Sequence, residues 1–533
     1  MKFLPFAGVG LAVLALFLVS TSSGATSGPR AASVISHRTF LRSAVRSALR
    51  PHPNGVSASP CAIDFSGDAN DSSFDGMSGK TSNVTGGANT AVLAGEGNKV
   101  CDGFSAIGAG EFNGIGNGGD ASLSFIAAGT DNVITANEAF VGAGIENAAG
   151  AANTFEGAGQ GNYASGANSF VGAGDLNETV GLGSFVGAGG YEFYINNDQM
   201  TAYSNIVTST DSFVGAGDLN RVYGEGSFIG AGGYAAALNG QTTPGNEIQG
   251  TDSFIGAGDE NEVGGTESFV GAGYQNLAEA NDSYIGSGNY NLIASAASYA
   301  TISGGVRNQA AGEYATVLGG FGNDASGTYA LVAGGDGNTA AGTLSFSGGY
   351  HADAAHNGSF VWSDYSSGST VVKDSAANQF VARASGGVYL YSNEAGTSGV
   401  KLAAGSGTWA NLSDRNAKTG IAPLDDASIL AKLSSLPIDS WRYKSESGVR
   451  HVGPMAQDFY AAFGVGEDDR HITSIDEDGV ALAAIKALDG KLEAKNAEAY
   501  AQRRELAQQR AEIATLRGSM RRLEGEFARL EAH

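Results

Sequence analysis

The chain has 533 residues, with 82 Gly, only 9 Pro and 42% hydrophobic residues. Collagen would need glycine at every third position and far more proline, and a disordered tail would hold fewer apolar residues. The composition therefore specifies a glycine-rich but folded β-protein. Net charge is −24, and between Asp102 and Leu412 the basic residues are Arg221, Arg307, Lys373, Arg383 and Lys401 alone. So long an acidic stretch without a basic patch argues against nucleic-acid binding, which needs Lys and Arg to displace counterions.

Residues 1–25 have the layout of a secretory signal. Lys2 supplies the positive start, Phe3 to Val19 is apolar, and Ser23-Gly24-Ala25 offers small residues for cleavage after Ala25. The apolar run is slightly short of the ~20 residues of a typical span, and no other segment could cross a membrane. The expectation is a secreted or cell-surface protein. Residues 26–75 form an N-terminal segment. Cys61 and Cys101 are a disulfide candidate in an oxidising compartment.

An internal repeat fills residues 76–350. Phe125, Phe140, Phe155, Phe170 and Phe185 are fifteen apart, as are Phe213 and Phe228, then Phe254, Phe269, Tyr284, Tyr299, Tyr314 and Tyr329. An Asn series keeps step: Asn83, Asn98 and Asn113, then Asn132, Asn147, Asn162 and Asn177, then Asn261, Asn276 and Asn291, then Asn308, Asn323 and Asn338. The wider gaps from Phe185 to Phe213 and from Phe228 to Phe254 read as loop insertions around 191–209 and 234–250, tolerated on the outside of a solenoid. A unit such as 169–177 alternates large and small residues, which suits one short strand with one buried face. Gly and Asn then supply the positive φ of a tight turn. One such coil cannot bury its apolar side, but stacked coils can. The Asn series reads as a structural ladder.

The units 300–305 and 315–320, Ala-Thr-Ile-Ser-Gly-Gly and Ala-Thr-Val-Leu-Gly-Gly, resemble the head repeats of trimeric autotransporter adhesins. That resemblance implies a β-roll in which three chains share a core, although the family's usual repeat is close to fourteen residues. Gly-Ala-Gly-Asp is also similar to calcium-binding nonapeptide solenoids, but their period is nine and several units here lack the Asp. Residues 351–412 contain alternating segments at 379–384 and 387–391 and read as a β-stem. His351 and His356 lack a third ligand, so no metal or other cofactor is expected.

Composition changes at Asn411. Three blocks follow in order: Leu412-Ser413-Asp414-Arg415-Asn416-Ala417-Lys418, then Arg450-His451-Val452-Gly453-Pro454-Met455-Ala456-Gln457-Asp458-Phe459, then residues 478–488. Together they resemble the intramolecular chaperone auto-processing domain found at the C-termini of phage endosialidases, tail spikes and tail fibres. The resemblance implies a self-cleaving serine peptidase over 413–484. It implies cleavage between Leu412 and Ser413, with Ser413 as nucleophile and Lys418 as base. Asp414, His451, Gln457 and Asp458 are candidate support residues, and for the last three ordinary packing or an exposed polar side chain is the plainer explanation. A serine hydroxyl is a weak nucleophile until a base takes its proton, and lysine serves only when burial or nearby positive charge lowers its pKa. Residues five apart do not share a face of a regular helix, so an irregular turn is expected if Lys418 serves its own chain.

From 485 to 533 a 3-4 apolar spacing runs through Ile485, Leu488 and Leu492, weakens at Lys495, Ala499 and Gln502, and resumes at Leu506, Gln509, Ile513, Leu516, Met520, Leu523, Phe527 and Leu530. This specifies a coiled coil. The expected fold is mainly β: a Gly-rich β-roll or solenoid, trimeric, with a β-stem, then a small α/β chaperone domain ending in a long coiled-coil helix. The expected function is an exported homotrimeric, adhesin-like fibre with an unknown surface or glycan ligand, matured by its own C-terminal chaperone. The alternative is a structural or glycan-binding β-solenoid with a non-cleaving trimerisation domain. A glycan-degrading enzyme would need clustered acids near a groove, and here they are scattered.

Overall fold

The computed structural model describes residues 74–75, 83–116, 121–195, 199–233, 245–368 and 370–532. The expected signal segment, Cys61 and most of the second insertion lie outside them. The chain divides into two compact units, Met1–Arg383 and Ala384–His533.

The first unit is a parallel β-solenoid of about 17 turns. Most coils carry two two-residue strands, where the repeat pattern suggested one. Phe170–Val171 and Glu178–Thr179 are such a pair. Strands of the first kind stack into a 19-stranded parallel sheet, and those of the second kind into a second parallel ladder. Register is direct, with Phe170 opposite Phe185 and Val171 opposite Val186. Neighbouring strand residues face opposite ways. The second residue of each strand therefore points inward, and Val186, Ile229, Ile255 and Ile302 are fully buried, as are Val222, Ile248 and Val263 of the facing ladder. Each such side chain contributes roughly 1.5–3 kcal/mol on leaving water. This interior is closed within one chain, so these apolar residues need no sharing among three chains.

The aromatic lane lies outside the coil. From Phe140 to Tyr284 successive rings stack with centroids 4.5–5.1 Å apart. The stack crosses both insertions without a break. The first insertion is an antiparallel hairpin, Tyr191–Ile195 with Gln199–Tyr203, and Phe185 still meets Phe213 at 4.5 Å.

The Asn series points inward at the corner before the second strand. Buried amides must be hydrogen-bonded, and stacking coils makes this possible. Asn276 Oδ1 accepts from the N–H and Nδ2 of Asn291 at 3.1 and 3.0 Å. Its own Nδ2 donates to Asn261 Oδ1 at 2.9 Å and to Gly288 O at 2.7 Å. Gly273 sits at φ +132°, where an added Cβ would run into the Gly288 carbonyl, so a side chain there would force the coils apart.

The coils continue past the expected end at residue 350. Phe346–Tyr350, Phe360–Ser363 and Phe380–Arg383 extend the first ladder in register, and Ala352–Ala354 and Val372–Lys373 extend the second. The region read as a separate β-stem is thus divided, with 351–383 solenoid and the remainder in the second unit.

The second unit opens with a three-stranded antiparallel sheet, Gly387–Tyr391, Gly399–Ala403 and Trp409–Asn411. A 3-10 turn, Arg415–Ala417, leads to α1 (Asp426–Ser435), a two-stranded sheet of Asp439–Trp441 with His451–Gly453, and α2 (Ala456–Phe463). Asp425 caps α1 by accepting from the Ser428 N–H at 3.2 Å, and Gly464, in the left-handed region, ends α2. The small core joins Leu436, Phe459 and Val480, with Ile429, Leu433 and Phe463 packed against it. The last helix, α3, spans Ser474–Leu530, 57 residues or roughly 85 Å. It begins before the expected coiled-coil boundary at 485, and its first turns supply Val480, Ala483 and Ala484 to the buried interior. Beyond them the heptad residues are exposed, Leu516 at 65% and Phe527 at 68%.

Candidate active site

The last strand of the three-stranded sheet runs directly into the candidate site. The Leu412 N–H donates to Gly399 O at 3.0 Å, which extends the sheet by one residue to the expected scissile bond. The chain then turns sharply. Asp414, in extended conformation, caps the 3-10 turn, its Oδ1 accepting from the Asn416 N–H at 2.9 Å and from Asn416 Nδ2 at 3.2 Å. Lys418 leaves the turn extended again, at φ −114° and ψ 147°. This irregular turn solves the spacing problem of residues five apart, and Lys418 Nζ reaches Ser413 Oγ at 2.5 Å within one chain. Both side chains are exposed in the single chain.

Residues 413–464 match the family model described as chaperone of endosialidase. The match starts at Ser413 itself and ends at Gly464, so the matched segment comprises the Ser413–Lys418 turn, α1, the two-stranded sheet and α2. No curated protein matches the chain.

The candidate support residues divide. Asp414 shapes the turn that carries the Ser413–Lys418 contact. His451 is engaged elsewhere: its Nε2 lies 2.9 Å from Glu446 Oε2, and its ring stacks on Trp441 at 4.7 Å. Gln457 and Asp458 are exposed in the first turn of α2, where the negative charge of Asp458 favours the helix N-terminus. None of these three bonds to Ser413 or Lys418 among the described residues. Sequence reasoning missed Glu446, whose separation of five residues from His451 follows no helical or strand period. Lys486 Nζ, 2.6 Å from Asp426 Oδ2, ties α3 to α1 within the same unit.

Other expected sites are placed as follows. Cys101 is disulfide-bonded, and the chain's other cysteine, Cys61, lies outside the described residues. His351 stacks on Tyr350 at 4.0 Å, and His356 Nδ1 lies 3.1 Å from Asp374 Oδ1. No group of three potential metal ligands occurs among the described residues, and no helix among them is long and apolar enough to cross a membrane.

Proposed function

We propose that the chain is an exported homotrimeric, adhesin-like fibre whose C-terminal intramolecular chaperone drives trimer folding and then cleaves itself between Leu412 and Ser413. The observation that carries this reading is the 2.5 Å contact of Lys418 Nζ with Ser413 Oγ, at the first residue of the matched chaperone segment. Lys418 takes the Ser413 hydroxyl proton, and Oγ attacks the Leu412 carbonyl carbon. The C–N bond then breaks as the amine of Ser413 receives a proton, leaving a Leu412–Ser413 ester. Water hydrolyses that ester, freeing the Leu412 carboxylate and the Ser413 hydroxyl. The chemistry is single-turnover and needs no cofactor. Lysine acts as a base at neutral pH only when desolvated or crowded by positive charge. The exposure of both side chains in one chain therefore fits activation by neighbouring copies. The exposed heptad stripe of α3 supports assembly, because such a stripe is stable in water only when covered by other helices.

The test is expression of residues 26–533 as wild type, Ser413→Ala and Lys418→Met, read by denaturing gel and intact mass. The expected result is a wild type split into a fibre ending at Leu412 and a fragment beginning at Ser413, with both variants whole. A wild type that assembles yet stays full length refutes self-cleavage and leaves a permanent trimerisation domain on a structural or ligand-binding solenoid.

A further inference from the structure

The three-stranded sheet that delivers Leu412 to the site lacks a core of its own. No residue from Gly387 to Asn411 is buried in the single chain. Its register sets Val388 beside Leu402 and Leu402 beside Trp409, and sets Leu390 beside Val400 and Val400 beside Asn411. Paired residues share a face, so Val388, Leu390, Val400, Leu402 and Trp409 make one apolar side. Leu390 is 57% exposed and Trp409 53%. The opposite side carries Tyr389, Tyr391 and Lys401, with Lys401 Nζ 5.0 Å from the Tyr389 ring centre. A small sheet is stable in water only when one apolar face is packed, and among the described residues none buries any side chain of this one.

Resting on the self-cleavage reading, we infer that two further copies of this chain cover the apolar face of the 387–411 sheet, and that this contact licenses cleavage by fixing Leu412 beside Ser413. Three observations select copies of the chain as the occupant. The face ends at Asn411, whose Nδ2 lies 3.5 Å from Ser474 Oγ at the head of α3, so it is continuous with the helix whose heptad residues are uncovered. None of its side chains is charged, and on a chain of net charge −24 an uncharged surface is where like copies approach without repulsion. The opposite face, with Lys401 and two tyrosine hydroxyls, is polar enough to remain in water.

The link to chemistry is the Leu412 N–H bond to Gly399 O, the last rung of the sheet. When the face is covered, the rung holds and the Leu412 carbonyl has one position relative to Ser413. When the face is open, the strand frays and that position is lost. Cutting thereby reports completion of the fibre end rather than association of α3 alone.

Residues 26–533 are compared as wild type, Leu390→Asp on the apolar face, and Tyr391→Ser on the opposite face. Cleavage is followed by gel, and assembly by light scattering. Leu390→Asp should assemble through α3 yet cleave about 100-fold more slowly, the scale of a misplaced reacting group, while Tyr391→Ser cleaves as wild type. Cleavage of Leu390→Asp at the wild-type rate overturns the inference. The same comparison in Ser413→Ala chains is read by hydrogen exchange, which keeps the test independent of cutting. Residues 387–411 should be protected in the assembled Ser413→Ala chain and unprotected once Leu390→Asp is added, with α3 protected in both. Persistent protection, or none in either, overturns the inference. A wild type that fails to cut while 387–411 responds in this way refutes the self-cleavage reading alone, and unprotected α1 to α3 would identify a variant that has not folded.

Discussion

Glu156 stands in register with Val171 of the next coil, as it does with Val141 of the coil before. It occupies the inward lane that most other coils fill with Val or Ile, and it is 1% exposed with neither carboxyl oxygen fully hydrogen-bonded. The apolar interior divides at this point, one cluster ending at Ala149 and the next beginning at Val186. Burial pushes the Glu156 carboxyl well above the usual carboxylate range, and the Ala164 backbone offsets only part of the effect. A carboxyl raised on folding supports the native state fully below its unfolded pKa and loses that support as pH rises. Glu156→Val should therefore unfold at higher denaturant, by about 2 kcal/mol at pH 7, and the gap should close toward pH 4. Urea titrations of both proteins across pH 4 to 8 check this.

The Asn ladder makes the solenoid sensitive to single amide losses. Asn276→Ala removes the acceptor for two donors of Asn291 and leaves Asn261 Oδ1 and Gly288 O each short of a donor. A cost of about 2–4 kcal/mol is expected, since each orphaned buried group loses its hydrogen bond without recovering water. Hydrogen exchange should show the loss concentrated in the coils around 261–291.

The outer aromatic lane acts as a second spine. Phe213 stacks on Phe185 at 4.5 Å and on Phe228 at 4.7 Å, bridging the coil before the first insertion to those after it. Phe213→Ala should cost about 1–3 kcal/mol through two lost stacking contacts, and Phe213→Tyr much less, because the ring edge is partly solvated. Thermal unfolding of the two variants distinguishes stacking from simple burial.

Asp374 makes the C-terminal end of the solenoid acid-sensitive. Burial alone would raise its carboxyl, but bonds from Ser359, His356 and the backbone N–H groups of His356 and Ala355 outweigh it and hold the pKa at about 2. A carboxyl depressed on folding supports the native state above its unfolded pKa, near ~3.9, and that support is lost as pH falls through about 2. Asp374→Asn should destabilise coils 352–383 at pH 7, with the deficit shrinking below pH 4. Limited proteolysis of that segment across the same range measures it.

The sequence alone determined the periodic part of this protein. A fifteen-residue spacing of aromatics and asparagines can persist only if each repeat returns the chain to the same place, so stacked coils follow from the spacing itself. The first two C-terminal blocks likewise located the segment that the family model matches from Ser413, and the apolar heptads located the long helix. What the spacing could not assign was direction. Phe170 and Val171 are both apolar neighbours, and only the closed coil decides that the β-branched residue fills the narrow interior while the ring stacks outside. Asn205, Asn220 and Asn246 belong to the ladder, yet insertions hid their rhythm, because a ladder depends on position in space and not on separation along the chain. The stem was divided for the same reason: Phe360 and Phe380 keep register with the coils despite their broken spacing. At the candidate site, the resemblance named Ser413 and Lys418, and the 3-10 turn decided that one chain can bring the two side chains into contact, since reach across five residues depends on backbone dihedral angles that the residue types leave open.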